Sequence, residues 1–335
     1  MKMEPAKAFT TRTCSWLIAG TMVMGVPAFA NMAKAGYMES PQAKAFVANL
    51  VSKHAFDEAW LSAYLNQAEK KDSILNAMSK PAERVLEWKD YRKIFITENR
   101  IELGKAFLKE HADTFAKAEK DTGVPKEIIA AIIGVETRYG NNKGNYRVLD
   151  ALATLAFDYP PRSKFFTSEL EQFFLLSREQ GFDPAELKGS YAGAMGYGQF
   201  IPSSYRHYAV DFSGDGVADI VNNPVDAIGS VANYFTKHGW KSGESIAVKA
   251  HVEGNKIEPL LTKEQKPSHK VSELKAAGVK TESVLDQKQA ARLIRLLGEQ
   301  GEEYWVGLEN FYVITRYNHS DMYAMAVYQL ASALK

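Results

Sequence analysis

Cysteine is nearly absent from the sequence: Cys14 is the only one among 335 residues. A disulfide framework needs at least two cysteines, so this kind of stabilisation is excluded. Cys14 also stands before the first apolar stretch, whereas a lipid-anchored protein carries its cysteine after such a stretch. A lipid anchor is therefore not expected.

The sequence also lacks an excess of charge and the common cofactor motifs. Lysine and arginine number 41 against 40 aspartates and glutamates, so no basic surface for nucleic acid is indicated. The seven histidines form no HExxH pattern, and the glycine-rich segment lacks both GxGxxG and GK[ST]. Neither a zinc site, nor an organic cofactor, nor a nucleic-acid partner is predicted.

Long hydrophobic runs are missing too. The longest apolar stretch, Trp16–Val26, falls short of the roughly 20 residues that a membrane-spanning helix needs. Basic residues precede it and Ala28-Phe29-Ala30 follows it, an arrangement typical of a cleaved signal peptide over residues 1–30. This predicts export to the periplasm, with an uncleaved anchor as the alternative.

What the chain does have is a hydrophobic content of 46% with mostly helical periodicity, which is enough for one large domain or two to three small ones. Apolar residues recur at helical spacing from residue 41 to 240, and again over Asp321–Leu334. Thr122 is predicted to cap the helix that begins near Pro125. Between these regions, ESIAVKAHVEGN alternates like a strand, FYVITR does so weakly, and QKQAARLIRLLG reads as short helical patches.

Glu136 is the most informative residue. It follows Ile129, Ile132 and Ile133 by seven, four and three residues, so all four side chains lie on one helical face that must pack inward. Loss of water favours the protonated form of a carboxyl group, and the nearby helix C-terminus acts in the same direction. A protonated carboxyl near pH 7 can act as a general acid. The alternative is a structural glutamate paired with Arg138 or Arg147, or solvated.

One further segment could belong to a sugar-binding cleft, and a second indicates no function by itself. The segment Ser190–Phe200 combines glycines, which permit close backbone approach, with tyrosines, which offer flat surfaces. Tyr317-Asn318 follows the segment FYVITR. The plainer interpretations are a structural turn and a capped strand end.

A third segment matches the start of a calcium loop. Asp211, Ser213 and Asp215 stand at positions 1, 3 and 5, and Gly216 at position 6, as in an EF-hand. Position 12 is Asn222 instead of glutamate, so Asp226 would have to close a longer loop. A structural calcium site is predicted, with an Asx-type turn as the alternative.

Together, four segments resemble the membrane-bound lytic murein transglycosylase B family, glycoside hydrolase family 103. They are GVETRYG, SYAGAMGYGQFIPSSY, DFSGDG with NPVDAIGSVANYF, and FYVITRYN, in an order that matches the family over roughly residues 40–335. The resemblance implies a mainly α (α+β) fold with a lysozyme-like helical core. It divides the chain into a flanking helical domain (31–120), the core with its calcium loop (121–240), a small α+β insertion (241–312) and a C-terminal helix returning to the core (313–335).

The resemblance also implies an activity, the cleavage of the β-1,4 bond between N-acetylmuramic acid and N-acetylglucosamine with formation of a 1,6-anhydro-muramyl end. Glu136 would be the single acid and base. The implied substrate-binding residues are Ser190, Gln199, Tyr91, Arg162, Tyr234, Tyr317, Asn318 and Tyr323, and the implied calcium ligands are Asp211, Ser213, Asp215 and Asp226. Peptidoglycan strands are the expected partner of a monomer, with cell-wall synthases or amidases as further candidates. A water-using muramidase and a non-catalytic wall-binding protein remain the alternatives.

Overall fold

The computed structural model describes residues 36–79 and 86–335. The predicted signal peptide, 1–30, lies outside them. The described part contains fourteen α-helices and seven short strands, which confirms the mainly helical α+β class. Among its helices, none has the length and apolar character needed to cross a membrane.

Six helices form the first part of the chain: α1 (Pro41–His54), α2 (Glu58–Gln67), α3 (Asp72–Met78), α4 (Trp88–Phe95), α5 (Glu98–Glu110) and α6 (Ala112–Thr122). Phe46, Val47 and Leu50 are buried along one side of α1, as the apolar spacing predicts. These helices do not close a core of their own. Two large hydrophobic clusters join them to later helices, so the proposed limits at 120 and 240 stay a prediction.

Five more helices build the centre: α7 (Lys126–Thr137), α8 (Val148–Asp158), α9 (Ser163–Gln180), α10 (Pro202–Tyr208) and α11 (Pro224–Lys237). Helix α7 is buried without interruption from Ile128 to Val135. The predicted Thr122 cap is wrong. Thr122 ends α6, donating to the Ala118 carbonyl and accepting from the Val124 amide, while Pro125 stands at the start of α7 without a side-chain cap.

An antiparallel sheet follows, with its strands in the order β4-β6-β7-β3-β5. The strands are β3 (Ala247–Val252), β4 (His269–Lys270), β5 (Val279–Thr281), β6 (Ala290–Gly298) and β7 (Gly301–Gly307), and the short helix α12 (Val271–Ala276) lies between β4 and β5. A separate two-stranded pair joins β1 (Tyr146–Arg147) to β2 (Lys188–Gly189). The helical prediction for QKQAARLIRLLG is wrong, because β6 pairs with β7 from Arg292 to Gly298 and has buried residues on both faces. Pairing across the sheet overrides the local preference.

The chain ends in two helices, α13 (Glu309–Tyr317) and α14 (Asp321–Leu334), where one was expected. The strand prediction for FYVITR is therefore wrong. The side-chain amide of Asn310 bonds to the backbone of Lys241 and Glu244, and Phe311 and Ile314 pack in the main core. These contacts favour a helix that a weak local alternation did not indicate. Helix α14 packs mainly on α7, which brings its first turn to the end of the helix that carries Glu136.

Candidate active site

Glu136 lies in the last turn of α7, where the helix ends in an unusual way. Arg138 and Tyr139 have φ angles of 53° and 59°, so the chain turns sharply just after the carboxylate. Glu136 itself is half-buried, between the buried Val135 and Thr137. The chain reversal leaves the carboxyl group at an end of the helix.

A direct partner of Glu136 comes from α14. The Tyr323 hydroxyl donates a hydrogen bond of 2.5 Å to Glu136 Oε1. Tyr323 is buried, and Ser320 caps the helix by accepting from the Tyr323 amide at 3.2 Å. The arginines considered as partners of Glu136 have other contacts: Arg147 forms two hydrogen bonds with Asp150, and Arg138 bonds to Asn99.

Tyrosines extend from this contact in a row. The rings of Tyr323 and Tyr317 are stacked, with centroids 6.5 Å apart, and Tyr234 lies 4.7 Å from Tyr317. Burial, and then the charge of Glu136, raises the pKa values of Tyr317 and Tyr323 well above the usual value. Both therefore keep their protons at neutral pH and act as hydrogen-bond donors.

The glycine-rich segment packs against this row. The Tyr317 hydroxyl donates to the Gly198 carbonyl at 2.6 Å, next to Gln199. Gln199 has a φ of 51°, and its amide nitrogen donates to the carbonyls of Lys143 and Gly196. The Ser190 hydroxyl accepts from the Ala192 and Ala194 amides, closing a tight turn. A non-glycine residue in left-handed backbone is costly, and such strain is concentrated at functional sites.

Of the remaining residues predicted to bind substrate, Tyr91 and Asn318 lie near Tyr323, whereas Arg162 lies apart from it. Tyr91 is buried on α4, and its hydroxyl is close enough to Tyr323 to influence that group electrostatically. The Asn318 carbonyl accepts from the Ser320 amide in the turn before α14. Arg162 is exposed, and its guanidinium lies over the rings of Phe165 and Phe166. These contacts do not join Arg162 to Glu136 or to the tyrosine row.

Thr137 has a role in the site that the sequence analysis did not assign. Its hydroxyl lies 2.9 Å from the Tyr197 carbonyl and 3.1 Å from the Ile133 carbonyl, and it accepts from the Gly140 amide. It thereby fixes the end of α7 to the glycine-rich segment. A threonine at a helix end carries no signal of this role in the sequence.

The acidic loop has the donor set that calcium prefers. Carboxylate oxygens of Asp211, Asp215 and Asp226 lie within 4.8 Å of one another, and the Ser213 hydroxyl lies 3.2 Å from Asp211. Backbone donors, first the Gly216 amide, hold the pKa of Asp211 below its usual value. The buried Asp226 accepts from the Phe212, Ser213 and Asp219 amides, which fixes the loop to α11. Hard oxygen ligands at this spacing fit calcium, and the Asp226 carboxylate lies in the same cluster.

Comparison with known proteins identifies the family of this chain. The family described as transglycosylase SLT domain matches residues 39–332. The chain belongs to this family. It is 48% identical over 307 residues to the membrane-bound lytic murein transglycosylase B of Escherichia coli K12, covering 89% of this chain and 84% of that protein.

Solved structures of transglycosylases agree with this assignment. The soluble lytic transglycosylase SltB1 of Pseudomonas aeruginosa has a TM-score of 0.84 at 52% identity, covering 88% of this chain and 98% of its own. The E. coli lytic transglycosylase Slt35 in complex with calcium has a TM-score of 0.83 at 47% identity, covering 92% and 98%. The resemblance expected from the four sequence segments is confirmed.

Proposed function

We propose that this transglycosylase cleaves peptidoglycan between N-acetylmuramic acid and N-acetylglucosamine, with Glu136 as both acid and base. The observation that carries the proposal is the 2.5 Å hydrogen bond between the Tyr323 hydroxyl and Glu136 Oε1 at the end of a buried helix. This hydrogen bond holds one carboxylate oxygen of Glu136, so the carboxyl group has a fixed orientation. Membership of the family supports the same chemistry.

The reaction has two proton transfers and consumes no water. Protonated Glu136 gives its proton to the glycosidic oxygen as the bond from that oxygen to C1 of the muramyl residue breaks. The resulting carboxylate then takes the proton of the C6 hydroxyl in the same sugar, and O6 forms the new bond to C1. Because the nucleophile is part of the substrate, its effective concentration is high without a second catalytic carboxylate.

The surrounding residues would hold the sugar for this step. Gln199 and Ser190 border the tight turn beside Tyr317, and Tyr234, Tyr323 and Tyr91 provide buried aromatic walls. Asn318 lies in the turn that precedes α14. We place Arg162 at the outer end of the groove, where it would meet glycan or peptide, because its contacts do not join the inner cluster.

Replacement of the proposed acid tests this function. The Glu136→Gln variant should melt like the parent but release no product from purified sacculi, because an amide cannot donate and then accept a proton. Glu127→Gln, in the first turn of the same helix, is the matched control and should remain active. Turnover by Glu136→Gln at the parental rate would refute the role of this carboxyl group.

Product analysis separates the transglycosylase from a muramidase. Mass spectrometry of the released muropeptides should show 1,6-anhydro ends. Products heavier by one water, with reducing ends, would indicate hydrolysis. Binding of sacculi without any product would indicate a wall-binding protein.

We also propose that calcium occupies the acidic loop as a structural ion, held by Asp211, Ser213, Asp215 and Asp226. The calcium complex of Slt35 and the convergence of three carboxylates support this site. For location we propose the periplasm, after export by the segment 1–30, with the enzyme acting as a monomer on glycan strands. Synthases and amidases of the wall are candidate partners.

A further inference from the structure

We propose a second saccharide-binding site on the opposite side of α14 from Glu136, suited to an uncharged stretch of N-acetylated glycan. It is a cavity of about 1030 Å³ between the sheet and helices α4 and α14, here called the sheet–helix cavity. The proposal rests on the proposed function, since it takes peptidoglycan glycan as the ligand. Four observations carry it.

The first observation is the position of the cavity relative to the catalytic carboxylate. Tyr323 faces Glu136, whereas Tyr328 and Ser332 of the same helix line the sheet–helix cavity. They follow Tyr323 by five and nine residues, which corresponds to about 140° and 180° around the helix. The cavity therefore lies behind α14, and a sugar bound there would belong to another part of the strand or to a neighbouring strand.

The second observation is an aromatic corner. Trp305 of β7 and Tyr328 of α14 meet nearly at right angles, with centroids 6.1 Å apart, and both are half-buried. The Tyr328 hydroxyl donates to the Ala247 carbonyl at 3.1 Å, which fixes its ring. A rigid aromatic surface that is only partly covered provides the apolar face on which a sugar ring stacks.

The third observation is a set of unused hydrogen-bonding groups. The indole nitrogens of Trp88 and Trp305 are buried and lack an acceptor in the part of the chain that the structure describes. Within the same described ranges, the side chain of the half-buried Glu303 forms no hydrogen bond or ion pair, although it lines the cavity. The indole N–H groups are closed off from the cavity, so the group that indicates a ligand is the Glu303 carboxylate, an acceptor that a sugar hydroxyl or acetamido N–H would satisfy.

The fourth observation is the balance of charge. Three cationic side chains line the cavity, Lys89, Arg92 and Lys249, against three carboxylates, Glu299, Glu302 and Glu303. Arg92 Nε also donates to Gln329 Oε1 at 2.7 Å, which places two planar polar groups side by side. A site of no net charge, with an aromatic corner and planar polar groups, favours a neutral polyhydroxylated ligand over a charged peptide stem.

The test uses the full chain with Glu136→Gln, so that ligand is not consumed. Its ¹⁵N-labelled indole signals are followed by NMR during titration with tetra-N-acetylchitotetraose. The Trp305 signal should shift in a saturable manner, while that of Trp60, which packs between Phe56 and Tyr64, should stay in place. Trp88 lies 6.5 Å from Tyr91 and would also respond to groove binding, so Trp305 decides the outcome.

Two variants connect binding to turnover. Trp305→Ala removes the indole ring of the aromatic corner, and Glu303→Gln removes the negative charge of the proposed hydrogen-bond acceptor. Each variant should raise KM on sacculi severalfold and leave kcat on a short soluble muropeptide unchanged. In Glu303→Gln, which keeps the Trp305 indole, the saccharide affinity measured from that signal should fall by about tenfold. If Trp305→Ala does not fold, Glu303→Gln and the titration of the parental indole decide the question.

A Trp305 signal that does not move at millimolar saccharide would overturn the inference. A shift caused by the free stem pentapeptide but not by the saccharide would also overturn it, because the site would then be a peptide site. Neither result touches the proposed catalytic function, which depends on Glu136. Conversely, an active Glu136→Gln would refute the catalytic proposal alone, because chitotetraose contains no N-acetylmuramic acid and the Trp305 signal reports binding at the sheet–helix cavity whichever residue is the acid.

Discussion

The contact between Tyr323 and Glu136 sets the behaviour of the proposed acid. A hydroxyl that donates to a carboxylate stabilises its charged form and so lowers its pKa. Burial first, then the negative charge of Glu136, and to a smaller extent this hydrogen bond raise the pKa of Tyr323 itself. We therefore expect this contact to influence the pH range over which the proposed acid holds its proton.

Tyr323→Phe removes this donor without changing the ring. The pKa of Glu136 should rise, because its charged form loses a hydrogen bond. Since the proposed reaction needs protonated Glu136, the alkaline limb of the kcat/KM profile should move to higher pH, and kcat should fall by about tenfold as the carboxyl group loses its fixed direction. Activity on muropeptides across pH 4 to about 9 measures both.

The control is Tyr312→Phe, a half-exposed tyrosine of α13. Its profile should overlay that of the parent. An alkaline limb that moves to lower pH in Tyr323→Phe would contradict the assigned direction of the hydrogen bond.

At the scale of elements, the glycine-rich segment is held by its backbone. Gly196 has a φ of 71°, and a Cβ atom there would lie 2.3 Å from the Ile220 carbonyl oxygen. Gly196→Ala should lower the free energy of unfolding by more than about 2 kcal/mol, through backbone strain and this clash. Urea unfolding measures the loss, and turnover should fall with it because Gln199 moves.

Gly243→Ala isolates the strain alone. Its φ is 76°, but nothing lies within 4 Å of the added Cβ. The expected loss is about 1 kcal/mol. Equal losses in the two variants would mean that the contact with Ile220 has no effect.

A second element-level contact fixes the first turn of α14. Arg292 of β6 forms two 2.6 Å hydrogen bonds with Asp321, one residue after the Ser320 cap. Arg292→Met leaves that carboxylate unpaired, so the free energy of unfolding should fall by about 3 kcal/mol. Kcat should also fall, because Tyr323 lies in the same turn.

Arg295→Met provides the comparison, since the exposed pair of Arg295 with Glu258 should contribute less than about 1 kcal/mol. Chemical denaturation of both variants gives the two values. A negligible loss in Arg292→Met would show that Asp321 is satisfied without its arginine.

The sequence could predict elements whose signal is local. The inward face of α7, with Glu136 on it, and the helices α8 and α9 follow from apolar spacing alone. Strand β6 and helix α13 could not be predicted in this way, because pairing with β7 and the Asn310 contacts decide them. The tyrosine row depended on resemblance to a family, since its members lie far apart in the sequence and no single one signals a site.

For the whole molecule, the proposed calcium site predicts a dependence of stability on the ion. Calcium in excess should raise the melting temperature by several degrees, as a ligand at about 100 times its Kd adds roughly 2.7 kcal/mol. Asp215→Asn should abolish most of this increase, with little change in the absence of calcium, because Asp215 accepts only from the Val217 amide among its neighbours in the described chain.

Asp183→Asn is a matched control, since Asp183 accepts from the Ala185 amide in a similar exposed turn. Thermal melts with calcium and with chelator compare the three proteins. A full calcium response in Asp215→Asn would remove this aspartate from the ligand set.

The residues of the Glu136–Tyr323 pair are separated by 187 positions. During synthesis, the acid therefore emerges long before the helix that must hold it. A chain that is still being made, or one clipped before α14, would carry the proton donor without its hydroxyl partner. An enzyme that cuts the cell's own wall would in this way become fully active only once the chain is made through α14. A protease that removes α14 would inactivate the enzyme while leaving the glutamate intact.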